Sequence, residues 1–260
     1  MYNVVLIGCG HMGSVHLDDI YMMKDICVYG VVDTYAERAE MFAKKYGAKS
    51  YDTSYMRYMK DKNTDIIICA TYPETHLDIL KQCVKYKKHL LCEKPIASNT
   101  EDAKEFVSIV KGADIKVQIG YILRFNETYR TVADMIHNGM MTMRLSDGST
   151  AYYEAGWGNT IAAENVKEFI GPLGRIRITE RENRADCHEE GDLIELYQYP
   201  QNEYKIINVN CKRRPTGAQL IHLIKMIESG VQALPTIDDV YKSLDIAIKT
   251  DESLREKYIN

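Results

Sequence analysis

The 260-residue chain contains no apolar run near the roughly 20 residues that a bilayer span requires; its longest, such as residues 66–70, fall far short. It has no basic excess. Lys plus Arg number 33 against 37 Asp plus Glu, a net charge of −4, which argues against a chain-wide nucleic-acid surface. It has no Cys-x-x-Cys pair, and its seven cysteines are odd in number, so neither a disulfide framework nor the ligand spacing of a zinc site is expected. Cys9, Cys27, Cys69 and Cys92 instead sit in or beside apolar strand-like runs, as small buried hydrophobes of a reducing compartment would. His188, in Cys187-His188-Glu189-Glu190, has metal-type neighbours, but the stretch is polar and turn-like and reads as a solvated loop. No metal is expected. No basic segment precedes residues 4–7 and no cleavage pattern follows, so the expectation is a cytoplasmic protein with no membrane association.

What is present is an ordinary globular composition, 45% hydrophobic and 27% charged, over a length that suits one large or two modest domains. The first 120 residues alternate strand and helix. Apolar or β-branched runs at 4–7, 27–32, 65–70, 89–92 and 115–119 alternate with helical patterns at 12–23, 36–46, 74–86 and 99–111. Alternation of this kind predicts a parallel sheet with helices on both faces and right-handed crossovers. The second half changes period. Residues 126–138 read as a helix stopped at Gly139, and residues 149–157, 175–179, 192–199 and 204–211 alternate with period two, as in an antiparallel sheet covered on one side. Helices at 216–229 and 237–256 close the chain. The predicted fold class is α/β: a Rossmann dinucleotide-binding domain over 1–120, then a shortened α+β domain over 121–260 with an open-faced, mainly antiparallel sheet.

Gly8-Cys9-Gly10-His11-Met12-Gly13 fits G-x-G-x-x-G between a strand and a helix, and Asp33 ends the next strand 20 residues after Gly13. That context makes the pattern a dinucleotide-binding fingerprint. Gly8 permits a tight turn, Gly10 admits a pyrophosphate, Gly13 allows close helix packing, and His11 and Met12 open the helix whose N-terminus faces the phosphates. Asp33 is placed to accept from the adenosine ribose hydroxyls and to repel a 2′-phosphate, so NAD is favoured over NADP. Arg38 complicates this, since its guanidinium could reach such a phosphate. His11 and His16 read as helix-start and surface residues.

Three further segments carry a resemblance: Thr71-Tyr72-Pro73-Glu74-Thr75-His76, Glu93-Lys94-Pro95, and Gly120-Tyr121-Ile122-Leu123-Arg124-Phe125-Asn126. With the glycine loop they resemble the glucose–fructose oxidoreductase, inositol dehydrogenase and rhizopine-catabolism (Gfo/Idh/MocA) family, continuously over residues 1–139 and again from about residue 142. The resemblance implies a Rossmann domain, an open-faced α/β domain and hydride transfer between nicotinamide and a sugar, cyclitol or related carbonyl. It implies that Thr71, Pro73 and His76 line the cofactor cleft, that Glu93 lies beside the nicotinamide ribose and that Lys94 contacts the reacting hydroxyl. Lys94 also follows the C-terminal end of a parallel strand, where such sheets bind ligands. An ammonium there polarises a carbonyl or stabilises an alkoxide, and burial beside nicotinamide would lower its pKa. Lys94 is the candidate catalytic residue. Arg124 either orients substrate or cofactor or ties the two domains together.

One departure from the family stands out. The usual G-G-x-x-x-D-x-G-x-H-x-x-D segment, with its acid–base histidine, is missing; residues 138–144 run almost directly into Leu145-Ser146-Asp147-Gly148-Ser149. His137, at a helix end, and His222, on a helix as a partly buried residue, are not assigned as replacements. Tyr152 and Tyr153 point to opposite faces of one strand; one face reads as core or subunit interface, and contact with substrate is the alternative for these residues, Trp157 and Asn159. Lys212-Arg213-Arg214-Pro215 reads as a solvated loop. The expectation is an NAD-dependent oxidoreductase. The alternative is an NAD(H)-binding family member with reduced or no activity. Relatives that cleave glycosides through a redox-neutral cycle are not distinguished from either. A bare sheet face invites association, so a homodimer or homotetramer through the second domain is expected.

Overall fold

The computed structural model describes residues 1–137, 166–171, 173–179, 191–212 and 214–258. They form two compact units, Met1–Ile122 with Pro215–Asn260, and Leu123–Arg214.

In the first unit six parallel strands, β1 (Tyr2–Ile7), β2 (Ile26–Val32), β3 (Tyr51–Asp52), β4 (Ile66–Cys69), β5 (His89–Cys92) and β6 (Val117–Ile119), lie in the order β3-β2-β1-β4-β5-β6. This is the doubly wound order of a Rossmann fold, with its switch point between β1 and β4. All four residues of β4 are buried, the expected state of a strand covered on both faces. The side-chain alternation of each strand splits the core in two. Val5, Ile7, Ile67, Cys69, Leu90 and Cys92 pack with α3 (Met56–Lys60), α4 (His76–Tyr86) and α5 (Thr100–Gly112). Val4, Leu6, Val28, Ile66, Ile68 and Leu91 pack with α1 (His11–Ile20) and α2 (Ala36–Tyr46). α5 begins where Asn99 Oδ1 accepts the Asp102 N–H at 2.8 Å, satisfying a donor that a helix start leaves open.

In the second unit α6 (Glu127–His137) lays Val132 and Met135 on one face of an antiparallel sheet, where Ile176, Ile178, Ile194 and Leu196 are buried. The strands β7 (Val166–Gly171), β8 (Gly174–Thr179), β9 (Asp192–Gln198) and β10 (Glu203–Val209) run in the order β10-β9-β8-β7. β8 alternates strictly, with Arg175, Arg177 and Thr179 on the other face, as period two predicts. Buried Asn126 caps α6, its Oδ1 accepting from Thr128 N at 3.0 Å and Tyr129 N at 3.3 Å.

The architecture matches expectation, with two differences. Sequence patterning marks neither the short β3–α3 segment nor β7. The boundary near residue 120 falls close to the break at Ile122, but the final helices α7 (Thr216–Ser229) and α8 (Ile237–Tyr258) return to the first unit instead of remaining in a domain running to 260. Leu220, Leu223 and Met226 of α7 join the core with α1 and α2, and Val240 of α8 joins the opposite one. Asp19 Oδ2 accepts from Thr216 Oγ1 and Gly217 N, both at 2.8 Å. A 3.6-residue apolar stripe states that a helix must be covered, not which sheet covers it. The expected strand at 149–157 and residues Tyr152, Tyr153, Trp157, Asn159 and Cys187-His188-Glu189-Glu190 lie outside the described residues, as do Gly139 and Arg213. Among the described residues no helix is long and apolar enough to cross a membrane.

Leu220→Ala tests the return of α7. It is expected to cost about 2–5 kcal/mol and to lower hydrogen-exchange protection of the β1 amides. Unchanged β1 protection would mean that α7 contributes nothing to the first unit's core.

Candidate functional site

The site is built at the C-terminal edge of the parallel sheet. Leaving β1, Gly8 donates its N–H to Val32 O at 2.8 Å and takes a φ of +97°. A Cβ on Gly8 would lie 2.6 Å from Ala70 O, just past β4, and a Cβ on Gly13 would strike the Gly8 carbonyl oxygen. Both glycines are therefore required by the chain's own packing. Gly10 is different: nothing lies within 4 Å of where its Cβ would be. Its turn leaves room for close approach by a ligand, and α1 opens beside it with no side-chain cap and no acid in its first turn. A positive dipole end without a side-chain cap, facing an open cradle, suits a pyrophosphate.

Asp33, buried at the end of β2, holds this loop in shape. Its Oδ2 accepts from Cys9 N at 2.9 Å and its Oδ1 from Tyr35 N at 3.0 Å. Each carboxylate oxygen has two lone pairs, so Oδ1, bonded only to Tyr35 N, retains one for another donor. Arg38 reaches Oδ2 at 3.5 Å and lies over the Tyr35 ring. Burial, reinforced by Asp33 and opposed by Arg38, pushes the Cys9 thiol up to about 12. At neutral pH Cys9 is a buried thiol, not a nucleophile.

Two turns meet beside the loop. Thr71 follows β4, and Pro73 opens a short 3-10 turn leading into α4. Glu93-Lys94-Pro95 follows β5, with a cis Lys94–Pro95 peptide. His76 joins them: its Nδ1 lies 2.9 Å from Pro95 O and its Nε2 3.2 Å from Thr71 O. His76 is buried; within the first unit it fastens two turns rather than presenting its ring on an open surface. Glu93 is buried as well and bonds His16 Nε2 through Oε1 at 2.8 Å, while Oε2 accepts from Lys94 N at 3.3 Å. A Cβ on Gly120 would sit 2.9 Å from the Glu93 carboxylate, so Gly120 is needed to make room for it.

His16 corrects the sequence reading. It is fully buried against Glu93, not a surface residue. The available signal was its position on the α1 stripe with Gly13, Leu17 and Ile20. Lys94 is exposed, so the polypeptide alone does not supply the burial expected of it. Exposed Arg124 belongs to the second unit, in a 3-10 turn before α6. His11 is exposed and Met12 half-buried at the start of α1. His222 is half-buried, its Nε2 2.9 Å from Gln232 O. The His137 side chain is outside the described residues.

Spacing along the chain also did not show that Cys69, His76 and Cys92, all buried, converge, with one ligand atom from each lying within 4.8 Å of the others. Burial works to raise the Cys69 thiol, but Cys92, His76 and Thr71 outweigh it and hold it well below the ordinary thiol range. Burial likewise opposes charge on His76, but Cys69 and the two facing carbonyls raise it. Burial, with Cys69 beside it, pushes the Cys92 thiol well up.

Residues 2–121 match a family model described as GFO_IDH_MocA, oxidoreductase family, NAD-binding Rossmann fold. Over 134 residues the chain is 27% identical to a myo-inositol 2-dehydrogenase of Thermotoga maritima, covering 52% of this chain and 40% of that protein. Over 150 residues it is 25% identical to a 4-carboxy-2-hydroxymuconate-6-semialdehyde dehydrogenase of Sphingobium sp., covering 58% and 48%. The chain thus spans less than half the length of these curated relatives. Among solved structures it is similar to KijD10, a 3-ketoreductase from Actinomadura kijaniata in complex with NADP and TDP-benzene, with a TM-score of 0.73 at 12% identity over 92% of this chain and 94% of that one. A probable dehydrogenase from Thermotoga maritima gives a TM-score of 0.68 at 17% identity over 98% and 97%. At such identities the likeness is one of fold.

Gly120→Ala is expected to push the Glu93 carboxylate off His16 and cost about 1–3 kcal/mol in denaturant unfolding. His16→Ala should cost a similar amount. The double variant should cost less than their sum, because both act on one buried pair. Simple additivity would separate Gly120 from that pair.

Proposed function

We propose, from the match of residues 2–121 to the Gfo/Idh/MocA oxidoreductase family model, that the chain is an NAD-dependent oxidoreductase acting on a sugar, cyclitol or related carbonyl. The observation that carries the reading is the alignment of an open glycine cradle, buried Asp33 and the Glu93-Lys94-Pro95 turn along one edge of the sheet. Bound nicotinamide would accept or supply the hydride. The chain's own residues do the rest. The Gly8–Gly13 loop and the α1 N-terminus bind the pyrophosphate. Asp33, whose Oδ1 accepts only from Tyr35 N and keeps a lone pair, accepts from the ribose hydroxyls. Glu93, braced by His16, sets the turn that bears Lys94. The Lys94 ammonium polarises the substrate carbonyl or stabilises the alkoxide. Asp33 disfavours a 2′-phosphate, and Arg38, already paired with Asp33, is the residue through which NADP would enter.

One observation favours a second reading. The chain lacks the family's D-x-G-x-H segment, and with it the usual proton carrier. On that reading it binds NAD(H) with little or no turnover.

Fluorescence titration of NADH and NADPH, followed by a screen of polyols and ketoses at the nicotinamide absorbance, separates the two. Lys94→Ala is expected to lose about 10²–10⁴-fold in kcat/KM with NADH affinity unchanged. Binding without turnover on any substrate favours the second reading, and normal turnover in Lys94→Ala overturns the first.

A further inference from the structure

We propose that Cys69, His76 and Cys92 form a binding site for a single soft divalent cation of the zinc type. The site lies within the first unit beneath the two turns, and the argument for it stands whether or not the chain is an oxidoreductase.

The register supplies the sulfurs. Cys69 and Cys92 end adjacent parallel strands, are direct partners across β4 and β5, and belong to the same core cluster, so both side chains point to the same side of the sheet. His76 opens α4, which packs on that side. Together they place two sulfurs and a ring nitrogen within 4.8 Å of one another. Sulfur and imidazole donors in that combination suit zinc, not magnesium or calcium, which take oxygen.

The surroundings resemble the outer shell of a metal site. Both His76 nitrogens face carbonyl oxygens, at 2.9 Å and 3.2 Å. A neutral imidazole has one N–H, so it can satisfy only one of them. When Nδ1–H donates to Pro95 O, the ring is held as metal-bound histidines are, by a backbone carbonyl on the far nitrogen, and Nε2 is left with a lone pair to give. Thr71 lies beside these donors, its carbonyl oxygen 3.2 Å from Nε2 and its Oγ1 3.2 Å from Cys69 Sγ, and offers oxygen as a fourth donor.

Charge decides the valence. Two thiolates and a neutral imidazole around a divalent cation sum to zero, which a dry pocket tolerates; a monovalent ion would leave a buried negative charge uncompensated. Binding a divalent ion expels the protons that the cluster otherwise holds, with no redox step. Entry requires only local opening of the Thr71–Thr75 turn, whose residues are half-buried to exposed. The bound ion would tie β4, β5 and α4 together and fix the two turns.

The test is titration of the whole chain with Co²⁺, after chelation and under reducing, oxygen-free conditions. The expected result is one equivalent bound with a thiolate-to-cobalt charge-transfer band. Zn²⁺ should bleach the band and raise the melting temperature as its free concentration increases. Cys92→Ser and His76→Gln should each lose the band, and Cys27→Ser, on β2 opposite Asn3 and outside the cluster, should retain it. No band in wild type with native circular dichroism overturns the proposal, even if the variants fail to fold. So does a band undiminished in a folded Cys92→Ser or His76→Gln.

Discussion

The C-terminal edge of the six-stranded sheet depends on one close approach. β1 and β4 are neighbours, and the chain leaving β1 must turn within van der Waals reach of the chain leaving β4. Gly8 meets the Ala70 carbonyl there, and Gly13 meets the carbonyl of Gly8. A methyl group on Gly13 would push α1 away from the turn, and one on Gly8 would drive the two exits apart. That would open the switch point of the parallel sheet, where ligands of this architecture bind. Gly10 carries no such constraint, so its small size serves whatever approaches from outside the chain.

Around that contact the polar groups are buried and fastened to one another. Asp33 holds the glycine loop through Cys9 N, His16 holds Glu93, and His76 lies between the Thr71 and Pro95 carbonyls. Each of these side chains would be costly to bury alone. Paired, they make the turns rigid and leave Lys94 as the exposed group on a supported base. Rigidity of that kind is what a site needs to present a charged side chain at a set position. Cys69 and Cys92 underlie the same turns, so that a substitution in this part of the core is felt at the edge above it.

The second unit uses a different economy. One face of its sheet is sealed by α6, and the other carries Arg175, Arg177 and Glu195 among its half-buried positions. Its polar anchor is Asn126, which caps α6 and donates through Nδ2 to Lys212 O at 3.1 Å. That bond closes the unit by joining its first helix to its last described segment.

The local repertoire follows from neighbouring residues alone. Burial of β4 on both faces, period two in β8, the glycine loop and Asp33 are all written in neighbouring residues, because strand period, turn chemistry and helix starts are short-range properties. What those elements meet is set by long-range packing. α7 and α8 carry amphipathic stripes that could have covered either sheet, and long-range pairs such as Asp19 with Thr216 assigned them to the first. His16 reads as a surface residue until β5 brings Glu93 to it across 77 positions. Cys69, His76 and Cys92 show no ligand spacing along the chain, because strand register and helix packing assemble them, and those depend on the whole core being formed.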